Sequence, residues 1–167
     1  MAEKITTGEY RGLAELRYRI RRFLQEGDDT ARQAQLEPQQ YLLLLAIRGL
    51  PEGQEATIRT LAERLSLRHH STVELVDRME AHGYVKRARG REDRRQVLVS
   101  LQPRGEKLLE HVVQQRIIEL RSNGRALVEA ISALLESRAN GMKSWGKRVR
   151  RTTGANRKTK RSRKRSH

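Results

Sequence analysis

The residues of this chain that are best suited to chemistry form two short groups. One is a histidine pair, His69 and His70, followed by Glu74, and the other is the stretch RARGREDRR from Arg87 to Arg95. His70 and Glu74 are spaced as two metal ligands on one helix face would be, but the sequence supplies no third ligand. Clustered guanidinium groups bind phosphates and carboxylates. The arginine-rich stretch therefore points to an anionic partner.

Several classes of function are excluded by composition. The sequence contains no cysteine, which rules out disulfides, thiolate catalysis, thiol-based switches and cysteine-ligated zinc. We find no nucleophile–base constellation, phosphate loop or paired carboxylates in an apolar setting. We therefore expect no catalytic residue, no metal and no cofactor. No apolar run is long enough to span a bilayer, and the N-terminus is too charged for a signal peptide, so we expect a cytoplasmic protein without membrane contact.

The positive charge of the chain is concentrated at its C-terminal end. The formal net charge is +16, yet residues 143–167 hold 12 lysines and arginines and no acid, so about +4 belongs to residues 1–142. This tail is rich in polar residues and has almost nothing to bury, which predicts a disordered segment. It is interpreted either as a non-specific arm for nucleic acid or as a solubility tail.

The two groups need elements that position them, and the segment from Thr57 to Gly83 predicts a helix-turn-helix. Thr57 is a suitable N-cap for a helix that ends near Leu65, and Gly83 is suited to end the second helix. In that second helix a buried stripe recurs at helical spacing, formed by Thr72, Leu75, Val76 and Met79. The histidines and Glu74 fall outside this stripe.

The flanking segments complete a mainly helical pattern. "YVKRA" and "QVLVSL" predict two strands, which makes the arginine-rich stretch the loop of a hairpin. Before the helix-turn-helix we predict a helix over Tyr10–Gln35, bent or broken at Gly27, and a central, buried helix from Pro38 to Gly49. After the hairpin, Pro103 opens a helix to about Leu120. "RSNGR" is predicted to break it, and a last helix follows to about Arg138.

This order of elements resembles the MarR family of regulators. "LAERLSLRHHSTVELVDRMEAHGYVKR" is similar to the family's helix-turn-helix and following strand, and "DRRQVLVSLQPRGEKLL" is similar to its wing motif, D-x-R, a strand, then L-T-x-x-G. The resemblance covers roughly Tyr10 to Ser137. It implies a winged helix-turn-helix domain flanked by dimerisation helices, with the following regions: 1–35 for N-terminal dimerisation, 36–101 for DNA binding, 102–141 for C-terminal dimerisation and 142–167 for the basic tail.

The resemblance also implies a function. A homodimer would bind a palindromic operator in double-stranded DNA, with a recognition helix in the major groove and the wing in the minor groove. We expect a repressor that a small aromatic or phenolic effector releases. The alternative is a structural protein that binds nucleic acid non-specifically through its basic tail.

The side chains expected to read or hold DNA lie on the recognition helix and on the wing. On the helix, His, Ser, Val and Glu side chains suit base edges and an arginine suits phosphate, and these residues are His69, His70, Ser71, Val73, Glu74 and Arg78. Another interpretation leaves the histidines exposed without a role. Arg68 stands where relatives often have a capping Ser or Thr, so the start of the helix is open.

In the wing, the resemblance assigns Arg95 to the minor groove and Asp93 to orienting the hairpin. Arg89, Arg91 and Arg94 supply further cations, whereas Glu92 has no assigned role. The plain alternative is a solvated charged turn.

Overall fold

The computed structural model describes the backbone of residues 4–90 and 96–158 and the side chains of residues 4–90 and 96–136. The elements follow one another as α1 (Thr7–Gln33), α2 (Pro38–Arg48), α3 (Ile58–Leu65), α4 (His69–Ala81), β1 (Val85–Arg89), β2 (Val97–Leu101) and α5 (Pro103–Lys158). The predicted fold class is confirmed, since the chain is mainly helical and carries an antiparallel hairpin directly after a helix-turn-helix. No helix in the described part of the chain is both long and apolar enough to cross a membrane.

Residues 22–122 form one of two compact units, and its core lies beneath the helix-turn-helix. Leu43 and Leu44 of α2, Leu61 of α3 and the buried side of α4 pack together there with apolar residues of the hairpin and α5. Burying these side chains provides the main stabilisation of the unit. The predicted central position of α2 is correct on one side only, because Leu42 and Leu45 remain exposed.

The helix-turn-helix has the boundaries and caps that the sequence predicts. The Thr57 side chain accepts a hydrogen bond from the backbone N–H of Thr60 at 3.1 Å and so caps α3. Ser66 adopts a left-handed conformation with φ of 53° in the turn. Gly83 has φ of 70°, a conformation that glycine adopts at little cost, and it follows the end of α4. The predicted stripe of α4 is buried at all four positions, Thr72, Leu75, Val76 and Met79.

Tyr84 connects α4 and the hairpin to the start of α5. Its carbonyl oxygen accepts a hydrogen bond from the N–H of Gln102 at 2.9 Å. A Cβ atom on Gly105 would lie only 2.2 Å from that same oxygen, so only a glycine fits at this position of α5. The guanidinium of Arg104 lies 5.2 Å from the centre of the Tyr84 ring. The glycine of the wing motif thus fixes α5 against the base of the hairpin.

The second unit contains the part of α1 up to Arg21 and the part of α5 from Asn123. Within it, a Cβ atom on Gly12 would lie 3.0 Å from Cδ1 of Leu134, so the two helices approach closely. Large apolar side chains of this unit are nevertheless exposed to solvent, among them Tyr10, Leu13, Tyr18, Val128 and Leu135. Exposure of this extent on packed helices is typical of a surface that another protein chain covers.

Three predictions about the long helices are wrong. α1 continues through Gly27 without interruption. That glycine leaves room for the Arg116 side chain of α5 and does not break the helix. α5 continues through Arg121–Arg125, since one Asn and one Gly cost roughly 2 kcal/mol together in a helix that neighbouring good helix formers sustain. The backbone of α5 is helical to Lys158, which differs from the disorder predicted beyond Gly141. Lys and Arg favour helix when they extend an existing one. Residues 159–167 lie outside the described part.

Candidate nucleic-acid interface

The N-terminal end of α4 presents most of the predicted base-reading side chains to solvent. His69, His70 and Glu74 are exposed, and Ser71 and Val73 are partly exposed. This follows from helical periodicity, because the neighbouring residue Thr72 and its stripe take the core-facing positions. Arg78, one turn beyond Glu74, is also exposed. The structure therefore exposes these side chains along a single helix, five of them within its first two turns and Arg78 in its last turn.

The start of α4 is favourable for an anion. Arg68 is its N-cap and makes no side-chain capping hydrogen bond, which agrees with the sequence argument that arginine cannot accept one. The first N–H groups of a helix have no partner inside the helix, and the helix dipole adds partial positive charge there. The backbone at His69 and His70 is thus suited to approach a phosphate.

An open groove of about 1250 Å³ separates the start of α4 from the hairpin. His69 and Val73 line the α4 side, and Arg89 and Gln96 line the side of the hairpin. Its floor is formed by the α3 N-terminus and the loop before it, including Thr57, Arg59 and Thr60. Two of the recognition-helix candidates, His69 and Val73, therefore share one concave surface with Arg89 of the hairpin.

The hairpin is attached to the unit at its base. β1 and β2 are antiparallel, with Val85 opposite Leu101 and Arg89 opposite Val97. The N–H of Val99 donates to the carbonyl oxygen of Ala56 at 2.9 Å, and this places β2 beside the loop that precedes α3. Burial of Val85 and Val99 holds the inner face. Two strands alone are marginally stable, so these attachments are what keep the hairpin in place.

The tip of the wing lies outside the described residues. It contains four of the predicted contact residues, Arg91, Asp93, Arg94 and Arg95. The described ends of the tip, Gly90 and Gln96, are joined by a hydrogen bond from N–H to carbonyl oxygen at 2.9 Å. The tip therefore starts and ends at the open mouth of the hairpin, beside Arg89.

Sequence reasoning missed Arg87, which joins the hairpin to the C-terminal half of α4. Its backbone N–H donates to Oε1 of Glu80 at 2.8 Å, and its Nη2 donates to the carboxylate of Asp77. Its Nε lies 3.4 Å from Oε2 of Glu80, an ion-pair distance without hydrogen-bond alignment. The Arg87 side chain is 27% exposed. A signal was present in the sequence: two acids three residues apart share one helix face, and an arginine follows them closely in the adjoining strand.

A second group of polar side chains lies within the same unit, where α1 meets α5. Arg116 is 9% exposed, forms an ion pair with Glu119 and donates to the carbonyl oxygen of Phe23 at 2.9 Å. Its guanidinium lies 4.7 Å from the centre of the Phe23 ring. A Cβ atom on Gly27 would lie 3.3 Å from Nε of Arg116, so the glycine makes room for this side chain. Thr30 donates to Glu119 at 3.1 Å.

Burial at this junction also affects a tyrosine. Desolvation raises the pKa of Tyr41 above 10.0, and the positive charge of Arg116 opposes that rise. A neutral phenol is thereby favoured in the folded state. Within the described residues, no three His, Asp or Glu side chains converge as a metal ion would require.

Comparison with known proteins finds sequence similarity to transcriptional regulators. The sequence profile of the MarR family matches residues 34–96. The uncharacterized HTH-type transcriptional regulator YsmB of Bacillus subtilis (strain 168) is 29% identical over 112 residues, which are 67% of this chain and 75% of YsmB.

Solved structures resemble the fold over a longer part of the chain. AbsC, a MarR family transcriptional regulator from Streptomyces coelicolor, has a TM-score of 0.65 and 17% identity over 86% of this chain and 99% of its own. A mutant of S. aureus MepR bound to an oligodeoxyribonucleotide has a TM-score of 0.53 and 19% identity, over 84% and 98%. The profile match spans α2, the helix-turn-helix and β1, and it ends at residue 96, before β2 begins.

Proposed function

We propose that this chain is a DNA-binding transcriptional regulator of the MarR type, and that it acts as a homodimeric repressor specific for a palindromic operator. The profile match over residues 34–96 and the similarity to YsmB support the proposal. The observation that carries the proposal is the shared concave surface of the α4 N-terminus and the hairpin. A protein that binds a duplex by charge alone has no need for such a surface.

In this proposal α4 lies in the major groove and its first two turns meet the base edges. His69 and His70 donate to guanine or phosphate, Ser71 meets a polar edge, and Val73 contacts a thymine methyl group. Glu74 accepts from a cytosine amine, the one base contact that compensates an acid for facing DNA. Arg78 binds a phosphate and fixes the register of the helix along the duplex.

The wing is proposed to enter the adjacent minor groove. Arg95 inserts there, where the negative potential of a narrow groove is strongest. Asp93 orients the tip, and the remaining cations, Arg89, Arg91 and Arg94, hold phosphates on either side. Arg89 supports this arrangement, because it lines the protein groove between α4 and the hairpin and lies at the open end of the hairpin.

The exposed apolar side chains of the second unit support a homodimer. α1 and α5 leave Tyr10, Leu13, Val128 and Leu135 in water unless another chain covers them. A second copy of the same surface gives closed two-fold symmetry, and that symmetry matches a palindromic site.

Repression and its release complete the proposal. A repressor occupies its operator until a small aromatic or phenolic molecule binds and lowers its affinity for DNA. With no cysteine in the chain, thiol oxidation is not the switch. Titration of the bound operator with phenols and aromatic acids, read as loss of the complex, tests this part separately from DNA binding.

Selection of bound duplexes from a random pool tests the proposed function. We expect an enriched inverted repeat whose half-sites are spaced by roughly one helical turn, about 10 base pairs. Binding of that duplex should survive a large excess of random DNA. Recovery of unenriched sequences, together with loss of binding after truncation at Gly141, would instead support the non-specific protein whose basic tail dominates.

A further inference from the structure

We propose that Arg87 is a positioning residue that locks the wing to the recognition helix, so that the two DNA-reading elements move as one body. The proposal rests on the proposed function, because it concerns how the helix and the wing act together on one duplex. Arg87, Asp77 and Glu80 are defined here as the wing clamp.

The wing clamp connects the C-terminal half of α4 to the centre of β1. Asp77 and Glu80 lie in the middle and last turn of α4, and Arg87 is the central residue of β1. The hairpin is otherwise attached on the β2 side, through the hydrogen bond from Val99 to Ala56. Without the wing clamp, β1 would be joined to α4 only through the turn at Gly83 and the burial of its first residues. The tip beyond Arg89 would then pivot on β2.

The geometry of the wing clamp favours positioning over simple charge balance. One carboxylate, that of Glu80, accepts the backbone N–H of Arg87, so strand and helix are tied through the main chain as well as the guanidinium. A backbone donor has no rotamer freedom, and a guanidinium held by two carboxylates loses most of its own. Both bonds fix the distance from α4 to the strand that leads into the tip.

The solvent exposure of the wing clamp indicates that it affects DNA affinity more than the free energy of unfolding. The side chains are 27% exposed for Arg87, 55% for Asp77 and 40% for Glu80. Ion pairs this exposed contribute little to the free energy of unfolding. The affinity for a duplex is more sensitive, because a displaced wing loses its groove contacts while the fold persists.

A purely electrostatic role makes the opposite prediction for the acids. The wing clamp contains two carboxylates and one guanidinium, so it carries a net negative charge close to the surface proposed for DNA. If charge alone mattered, Asp77→Asn and Glu80→Ala would strengthen binding, and only Arg87→Met would weaken it. If the wing clamp positions the wing, all three substitutions weaken binding.

The test is operator affinity at about 0.3 M salt, where distant charges are screened. We expect Arg87→Met, Asp77→Asn and Glu80→Ala each to lower affinity roughly tenfold, with Arg87→Lys between these variants and the wild type. The double substitution of Arg87→Met with Arg95→Ala should bind no more weakly than the weaker of the two single variants, since a displaced wing has already lost the Arg95 contact. Asp29→Asn, which removes an exposed α1 acid from a pair with Arg32, is the matched control and should leave affinity unchanged.

A second measurement does not depend on DNA. In the free protein, Glu80→Ala should accelerate amide hydrogen exchange by about tenfold at Arg87, whose N–H loses its acceptor, and at Gly90, whose N–H donates to Gln96 across the hairpin, with the exchange of Leu61 unchanged. Faster exchange in a protein that selects no operator would refute the proposed function alone. The wing clamp is overturned if exchange is unaltered, if the acid substitutions strengthen binding, or if the losses from Arg87→Met and Arg95→Ala add.

Discussion

The carboxylate of Glu80 binds Arg87 twice, through the backbone N–H at 2.8 Å and through an ion pair of Nε with Oε2 at 3.4 Å. Glu80 belongs to α4, the proposed recognition helix, and Arg87 belongs to β1, the first strand of the hairpin. The strand that leads into the tip of the wing is therefore bonded directly to the helix beside it.

Gly105 is predicted to tolerate no side chain. Gly105→Ala places Cβ 2.2 Å from the carbonyl oxygen of Tyr84, so the start of α5 must move away from the hairpin. We expect a loss of about 3 kcal/mol in the free energy of unfolding, measured by urea denaturation. Gly8→Ala, at an exposed position early in α1 with no close neighbour, is the control and should change stability by less than about 0.5 kcal/mol. Equal stability of the two variants would contradict this packing.

Arg116 is predicted to stabilise the junction of α1 and α5. Arg116→Met removes the donor to the Phe23 carbonyl oxygen and leaves Glu119 without its ion pair. We expect a loss of about 2 kcal/mol in the free energy of unfolding, measured by urea denaturation, because a charged hydrogen bond to a part-buried carbonyl oxygen is lost. Arg121→Met, at an exposed position of the same helix, should have little effect. A similar effect of both substitutions would mean that the buried cluster contributes no specific stability.

Tyr41 predicts how stability depends on alkaline pH. Its pKa is raised in the folded state, so the phenol stays neutral there while the unfolded chain ionises near pH 10.0. The contribution of the neutral Tyr41 phenol to the free energy of unfolding is therefore fully present below pH 10 and declines as the pH rises above 10. Denaturation at several pH values between 8.5 and 11 should show a steeper decline for the wild type than for Tyr41→Phe. Parallel pH profiles would indicate that the hydroxyl group does not resist ionisation.

The basic tail is predicted to add affinity without adding specificity. Truncation after Gly141 removes 12 lysines and arginines of residues 143–167. Each phosphate contact contributes a slope of about −0.9 in log affinity against log salt. We expect a shallower slope and an equal loss of affinity on operator and random duplexes. A change in operator preference would show that the tail reads sequence.

Much of the fold is predictable because its signals are local. Thr57, Gly83 and the stripe of Thr72 and Met79 define the helix-turn-helix through capping and periodicity, which depend only on nearby residues. The strands follow from alternation. One local signal was misleading. A glycine such as Gly27 often marks a helix break, but here it leaves space for Arg116, which packs against α1 from a distant part of the chain.

The sequence predicts which side chains of the candidate site are exposed, but it does not predict the contacts between the elements that carry them. Periodicity puts His70 and Glu74 on the outer face of α4, and exposure in the structure agrees. The spacing of Asp77 and Glu80 places two acids on one helix face, but their bond to Arg87 also depends on the angle between helix and strand, which that spacing does not determine. The same holds for Tyr84 and Gly105, where a backbone oxygen and a missing side chain meet.

The central claim is that α4 and the wing bind a specific duplex together. It is tested most directly by the affinity of Arg95→Ala for the selected operator at moderate salt, against Arg32→Ala, which removes the same charge from the end of α1. We predict that Arg95→Ala weakens binding by roughly 1–3 kcal/mol, as expected for a lost groove contact, and that Arg32→Ala has little effect. Unchanged affinity of Arg95→Ala, or an equal loss in both variants, would contradict the account.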